Sequence, residues 1–149
     1  MNSLLQFLVF LQSILRKSER LPRSIQAEER LSRFIFDPTY LDRLNKKPKW
    51  HVFKPGGDRT ASVYRTTDCD EAKVRLLADK FVVPIRKGGS PLQGRADVRA
   101  AMVIGEKLDV QSLWWPHPRH AEIIGWAGDR DLAQVHQLRE RHDGFAGGL

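Results

Sequence analysis

The sequence predicts a small α+β domain, and three observations carry that reading. The 149 residues suffice for one compact domain. Apolar residues make up 41% and charged residues 29%, as in a soluble globular chain rather than a disordered or fibrous one. Short β-rich runs alternate with helical patterns and close turns, which argues for an antiparallel or mixed sheet of about four to five strands with helices on one face. An N-terminal apolar helix is expected to precede the domain. The implied organisation is 1–23 as apolar and basic helix with its linker, 24–143 as the α+β domain, and 144–149 as a flexible tail.

Within Met1–Leu15, nine of the last twelve residues are Leu, Phe, Val or Ile. Twelve helical residues span about 18 Å against about 30 Å of hydrocarbon, so no transmembrane span is expected. The basic residues Arg16, Lys17, Arg20 and Arg23 follow the apolar run, the reverse of a secretory signal. Residues 4–15 instead suit packing on the domain, association with a protein partner or second copy, or peripheral contact with an anionic membrane surface. A loosely attached, dispensable extension is the remaining reading.

Ser24 reads as the N-cap of a helix to about Phe36, with Ile25, Leu31, Phe34 and Ile35 on one face, stopped by Asp37-Pro38. Trp50–Phe53 and Thr60–Thr66 have strand composition around Pro55-Gly56-Gly57-Asp58 and are expected to form a hairpin. Asp68 followed by Glu71 resembles a capping box for a helix to about Lys80. Phe81–Ile85 is apolar, and Pro84 restricts it to an edge strand or bridge. Lys87–Asp97, with three glycines and a proline, reads as the main loop, and Val98 to about Gly105 as a short helix. Leu108–Leu113 and His120–Trp126 read as strands joined by a stiff Trp-Trp-Pro-His-Pro-Arg connector. Asp129 or Asp131 opens a last helix to about His142.

The single cysteine, Cys69, excludes an internal disulfide framework and a multi-cysteine zinc site. A cytoplasmic location is the expectation that follows. Cys69 lies between Asp68 and Asp70, whose carboxylates oppose thiolate formation, so an inert thiol is expected. No Walker loop, GxSxG elbow or HExxH motif is present. No cofactor and no metal is expected.

The net charge of +7 is unevenly placed: residues 1–60 hold 12 basic and 6 acidic side chains, the remainder 13 and 12. Within the first part, Arg43, Lys46, Lys47, Lys49, Lys54 and Arg59 surround Trp50 and Phe53, with only Asp58 opposing. Cations that contact phosphates, interleaved with aromatic rings that stack on bases, are the ingredients of a nucleic-acid surface. The leading expectation is therefore a basic protein that binds RNA or single strands through 43–59. Alternatively, Trp50 and Phe53 are core and the lysines a solvated rim.

A second set combines His117 and Arg119 in the connector and His120 at the start of the next strand with Arg65 at a strand end and Arg95 and Asp97 in the glycine-containing loop. Imidazoles move protons near neutral pH and guanidinium groups neutralise a developing phosphorane, as in metal-independent RNA cleavage. The competing reading makes Arg95–Asp97 a structural pair and gives Arg119 a carbonyl to bind. A third function class is a non-catalytic accessory subunit that docks through the N-terminal helix.

Overall fold

A computed structural model describes residues 4–8, 11, 21–45, 47–86, 88–128 and 144–147. Six strands form one antiparallel sheet: β1 (Arg30–Ile35), β2 (Ala61–Arg65), β3 (Gly94–Arg99), β4 (Asp109–Ser112), β5 (His120–Ile124) and β6 (Gly144–Gly147). Their spatial order is β4-β5-β2-β1-β3-β6. Two short α-helices, α1 (Glu71–Leu77) and α2 (Ala100–Gly105), complete the α+β architecture that the sequence predicts. Residues 4–8 are helical. Leu4, Leu5, Phe7, Leu8 and Leu11 are exposed. No described helix is long and apolar enough to cross a membrane.

The sheet separates two apolar layers. Leu31, Ile35, Val63, Ala96, Val98, Ala121 and Ile123 form one with Val52, Phe53 and the α2 residues Ala100 and Val103. Phe34, Phe36 and Tyr64 form the other with Val74, Leu77, Phe81 and Val82 from α1 and its extension. Helical segments thus line both faces of the sheet.

Several local expectations are corrected. Residues 30–35 are the central strand rather than part of a helix over 24–36. Because β1 lies between β2 and β3, Leu31 and Ile35 enter one layer while Phe34 enters the other. A strand buried on both faces loses the alternation that marks a half-buried one. Trp50–Phe53 is a 3₁₀ turn that drives Val52 and Phe53 into the core, so the expected hairpin is absent and β2 pairs with β1 and β5. Phe81–Ile85 is not an edge strand: α1 runs on through a π turn (Ala78–Val82) and a 3₁₀ turn (Val83–Ile85), and Pro84 occupies an early position of the latter. The loop over 87–97 ends at Gly94, where β3 begins. Residues 144–147 pair with β3 instead of forming a flexible tail. The last helix expected near 131–142 lies outside the described residues.

Candidate functional site

Most of the six side chains expected to share a catalytic cleft are taken up by ion pairs and hydrogen bonds that join chain segments. Arg65 is buried and forks onto Glu29, with Nε 2.6 Å from Oε2 and NH2 2.7 Å from Oε1. It also donates to the carbonyls of Pro22 and Ser24, which pins the segment before β1 to the end of β2. Arg119 forks onto Asp68 at 2.6 and 2.9 Å and donates to the Arg65 carbonyl. Those bonds hold the Asp68 carboxyl down at about 2. Arg95 forks onto Glu71 at 2.7 and 2.9 Å and places Nε 2.9 Å from Asp97. These three arginines fasten chain segments together.

Asp97 ends a polar chain beneath the N-terminus of α1. Ser32 Oγ donates to Asp97 Oδ1 at 2.6 Å, so its own lone pair is left to accept the Thr66 hydroxyl proton, also at 2.6 Å. Thr66 in turn accepts from Arg30 Nε at 3.1 Å. Each hydroxyl donates once and accepts once, which satisfies the buried polar atoms. His117 is in the core, edge-on to the Phe81 ring at 4.5 Å, with Nδ1 accepting the Arg119 amide proton. Nearby, burial pushes the Cys69 thiol up, which keeps it protonated at neutral pH.

The basic stretch forms an excursion between β1 and β2. Leu41 bridges Pro48, the Asp42 amide donates to the Lys47 carbonyl, and the Lys49 amide donates to the Tyr40 carbonyl. Arg43, Lys47 and Lys54 are exposed on it. Lys46 and the Trp50 side chain lie outside the described residues. Phe53 is fully buried and presents no ring to a ligand, contrary to the expectation that it stacks on bases. Arg59, exposed, donates to the Trp126 carbonyl at 2.7 Å. Burial lowers His51, and the cations of Lys49 and Lys54 lower it further, a local sign of positive potential.

One open feature on the α1 face collects polar groups that are not all spoken for. β1 and β2 pair only at Leu31–Arg65 and Ser32–Tyr64. Beyond that point β1 stays with β3 to Ile35, while β2 stays with β5 back to Ala61, so the two central strands part. Arg33 enters the gap and donates from NH1 to the Ser62 carbonyl at 3.1 Å. A groove of about 450 Å³ opens there, lined by Arg33, Phe34, Phe36, Ser62, Tyr64, Val82, Ile85 and Arg86. Arg86 lies over the Phe36 ring, 4.6 Å from its centroid.

His120 backs this groove. Its Nδ1 is 2.7 Å from the Trp115 carbonyl, which can only accept, so Nδ1 carries the proton. Burial lowers His120 and favours the neutral ring. Its Nε2 therefore accepts from the Ser62 hydroxyl at 2.7 Å. Of the six expected catalytic residues, only His120 contacts the groove lining in this way. Arg33, Ser62, Tyr64 and Arg86 were not singled out from the sequence. The one legible signal was a cation, Arg33, inside the apolar run Leu31–Phe36.

Among the described residues, no three His, Cys, Asp or Glu side chains cluster as a metal site would require. In comparisons with known proteins, no family model, curated protein or solved structure matches the chain.

Proposed function

We propose that the protein binds nucleic acid, RNA or single strands in preference to a duplex groove, through the excursion that joins β1 to β2. The observation that carries the reading is the exposure of Arg43, Lys47 and Lys54 on one connecting segment, with Lys49 and Lys54 close enough to depress His51. Cations on such a segment meet phosphates without needing a groove of fixed width, and each phosphate they neutralise releases counterions. Affinity in this reading is mainly electrostatic and falls steeply with salt.

Fluorescence anisotropy of labelled single-stranded RNA and DNA at about 50 and about 200 mM salt tests the proposal. The wild-type protein should bind at the lower salt and lose at least about tenfold in affinity at the higher. The combined variant Lys47→Glu, Lys49→Glu, Lys54→Glu should bind at least about tenfold more weakly at low salt and show a flatter salt slope. Failure of the wild type to bind at low salt, or unchanged binding by the variant, defeats the reading.

A further inference from the structure

We infer that the groove where β1 and β2 part is a site for a phosphate monoester, carried either on the end of a nucleic-acid strand or by a mononucleotide. As a strand-end site it rests on the function proposed above. As a mononucleotide site it stands on the groove alone.

Arg65, Arg95 and Arg119 are buried, and each forks onto a carboxylate. Arg33 is partly buried and has no carboxylate within ion-pair distance among the described residues. Its single hydrogen bond, to the Ser62 carbonyl, uses one of five guanidinium protons. Loss of water around it lowers its affinity for its own proton, to about 10; Tyr40 and, more weakly, Asp58 counteract this, and Arg86 adds to it. A guanidinium held without a counter-ion at the wall of a cavity favours any oxyanion that enters.

Three further groups face the same space. Arg86 brings a second guanidinium, steadied over Phe36, so that two cations face the groove. That matches the charge of a phosphate monoester near neutral pH better than the single charge of a carboxylate or a diester. Tyr64 is only 4% exposed, lines the groove, and its hydroxyl makes no hydrogen bond with the described residues. Burial pushes the phenol far up, so it remains a neutral donor at the groove wall. Ser62 has committed its proton to His120 and offers only lone pairs, which suit the sugar hydroxyl beside a nucleotide phosphate. The volume, about 450 Å³, lies within the range of small-ligand sites.

The test uses the full chain and one short RNA sequence in three forms: no terminal phosphate, 5′-phosphate, and 3′-phosphate. AMP is titrated separately by calorimetry. For a strand-end site, one phosphorylated form should bind at least about tenfold more tightly than the unphosphorylated strand. Arg33→Gln should abolish that preference while leaving the unphosphorylated strand bound as before. Arg86→Gln and Tyr64→Phe, which remove an exposed guanidinium and a single hydroxyl, should each reduce the preference and serve if Arg33→Gln fails to fold. If all three strands bind equally and AMP does not bind, the inference is overturned while strand binding stands. If no strand binds, the function proposed above fails; AMP binding that the groove variants weaken then supports a mononucleotide site. Absence of AMP binding in that case, or binding indifferent to all three variants, overturns the inference as well.

Discussion

Asp97 sits 2.9 Å from Arg95 Nε and 2.6 Å from Ser32 Oγ, almost without solvent, so its carboxylate neutralises one group and orders another. Glu71 also pairs with Arg95, but its side chain is 65% exposed and water replaces much of what it supplies. Breaking a buried pair from one side costs about 3–5 kcal/mol, whereas a solvated pair is worth about 1 kcal/mol or less. Because Arg95 keeps Glu71, Asp97→Ala should destabilise by about 3 kcal/mol and Glu71→Ala by about 1 kcal/mol. Urea unfolding measures both, and a reversed ranking would contradict this account of the network. The sequence placed Arg95 and Asp97 two residues apart and left open whether they serve chemistry or structure. A strand puts such residues on one face, and the partner that decided between those uses, Ser32, comes from a strand 65 residues away. The sequence does not mark Arg33, because its significance lies in lacking a carboxylate, and residue types alone do not show which charges go unmatched.

At the scale of the element, α1 shows how a local rule can be right in kind and displaced in position. The sequence offers Asp68 and Asp70 before Glu71, and the spacing of a capping box favours Asp68. In the fold Asp70 is the cap and accepts the Lys73 amide proton at 2.7 Å, because Asp68 is drawn to Arg119. Asp70→Ala should therefore cost about 1 kcal/mol through the lost cap. Asp70→Ser should recover most of that, with chemical denaturation midpoints as the readout. An Asp70→Ala protein as stable as the parent would show that the cap contributes nothing. The edge strand β4 and its neighbours β5 and β2 were legible because local composition and turns suffice there. Strands β1 and β3 were not. β1 reads as helical since its apolar residues serve two layers, and β3 reads as loop since Gly94, Arg95 and Asp97 lack strand propensity and are held by ion pairs instead. Cross-strand pairing between Arg30–Ile35 and Gly94–Arg99 spans a sequence distance that no local pattern records.

For the molecule as a whole, the direction in which its titratable groups shift predicts how stability depends on pH. Burial lowers His51 and His120 below the ordinary 6.5, with Lys49 and Lys54 adding to the effect at His51. Between those lowered values and 6.5 the unfolded chain takes up protons that the folded chain refuses, so stability declines as pH falls through that interval. A second loss follows at lower pH. Guanidinium hydrogen bonds hold Asp68, at about 2, and Glu71 below their ordinary values of 3.8 and 4.5. At Glu29, burial works upward but is outweighed by Arg65 and the Gln26 amide. Each of these carboxylates stabilises the fold fully above its unfolded value and loses that contribution as pH falls toward its folded value. Glu122, raised by burial and by Asp58, opposes the trend on the acidic side. Thermal unfolding followed by circular dichroism from about pH 8 to about pH 3 should show a plateau, a shallow decline beginning near 6.5, and a steeper one below about 4.5. A melting temperature that rises between about pH 7 and about pH 5 would mean that the buried imidazoles gain stabilising contacts on protonation. The arrangement of His120 between a carbonyl that accepts its only proton and a hydroxyl that donates to its bare nitrogen predicts the opposite, because a second proton on the ring would displace the Ser62 hydroxyl hydrogen and place a charge in the sheet interior.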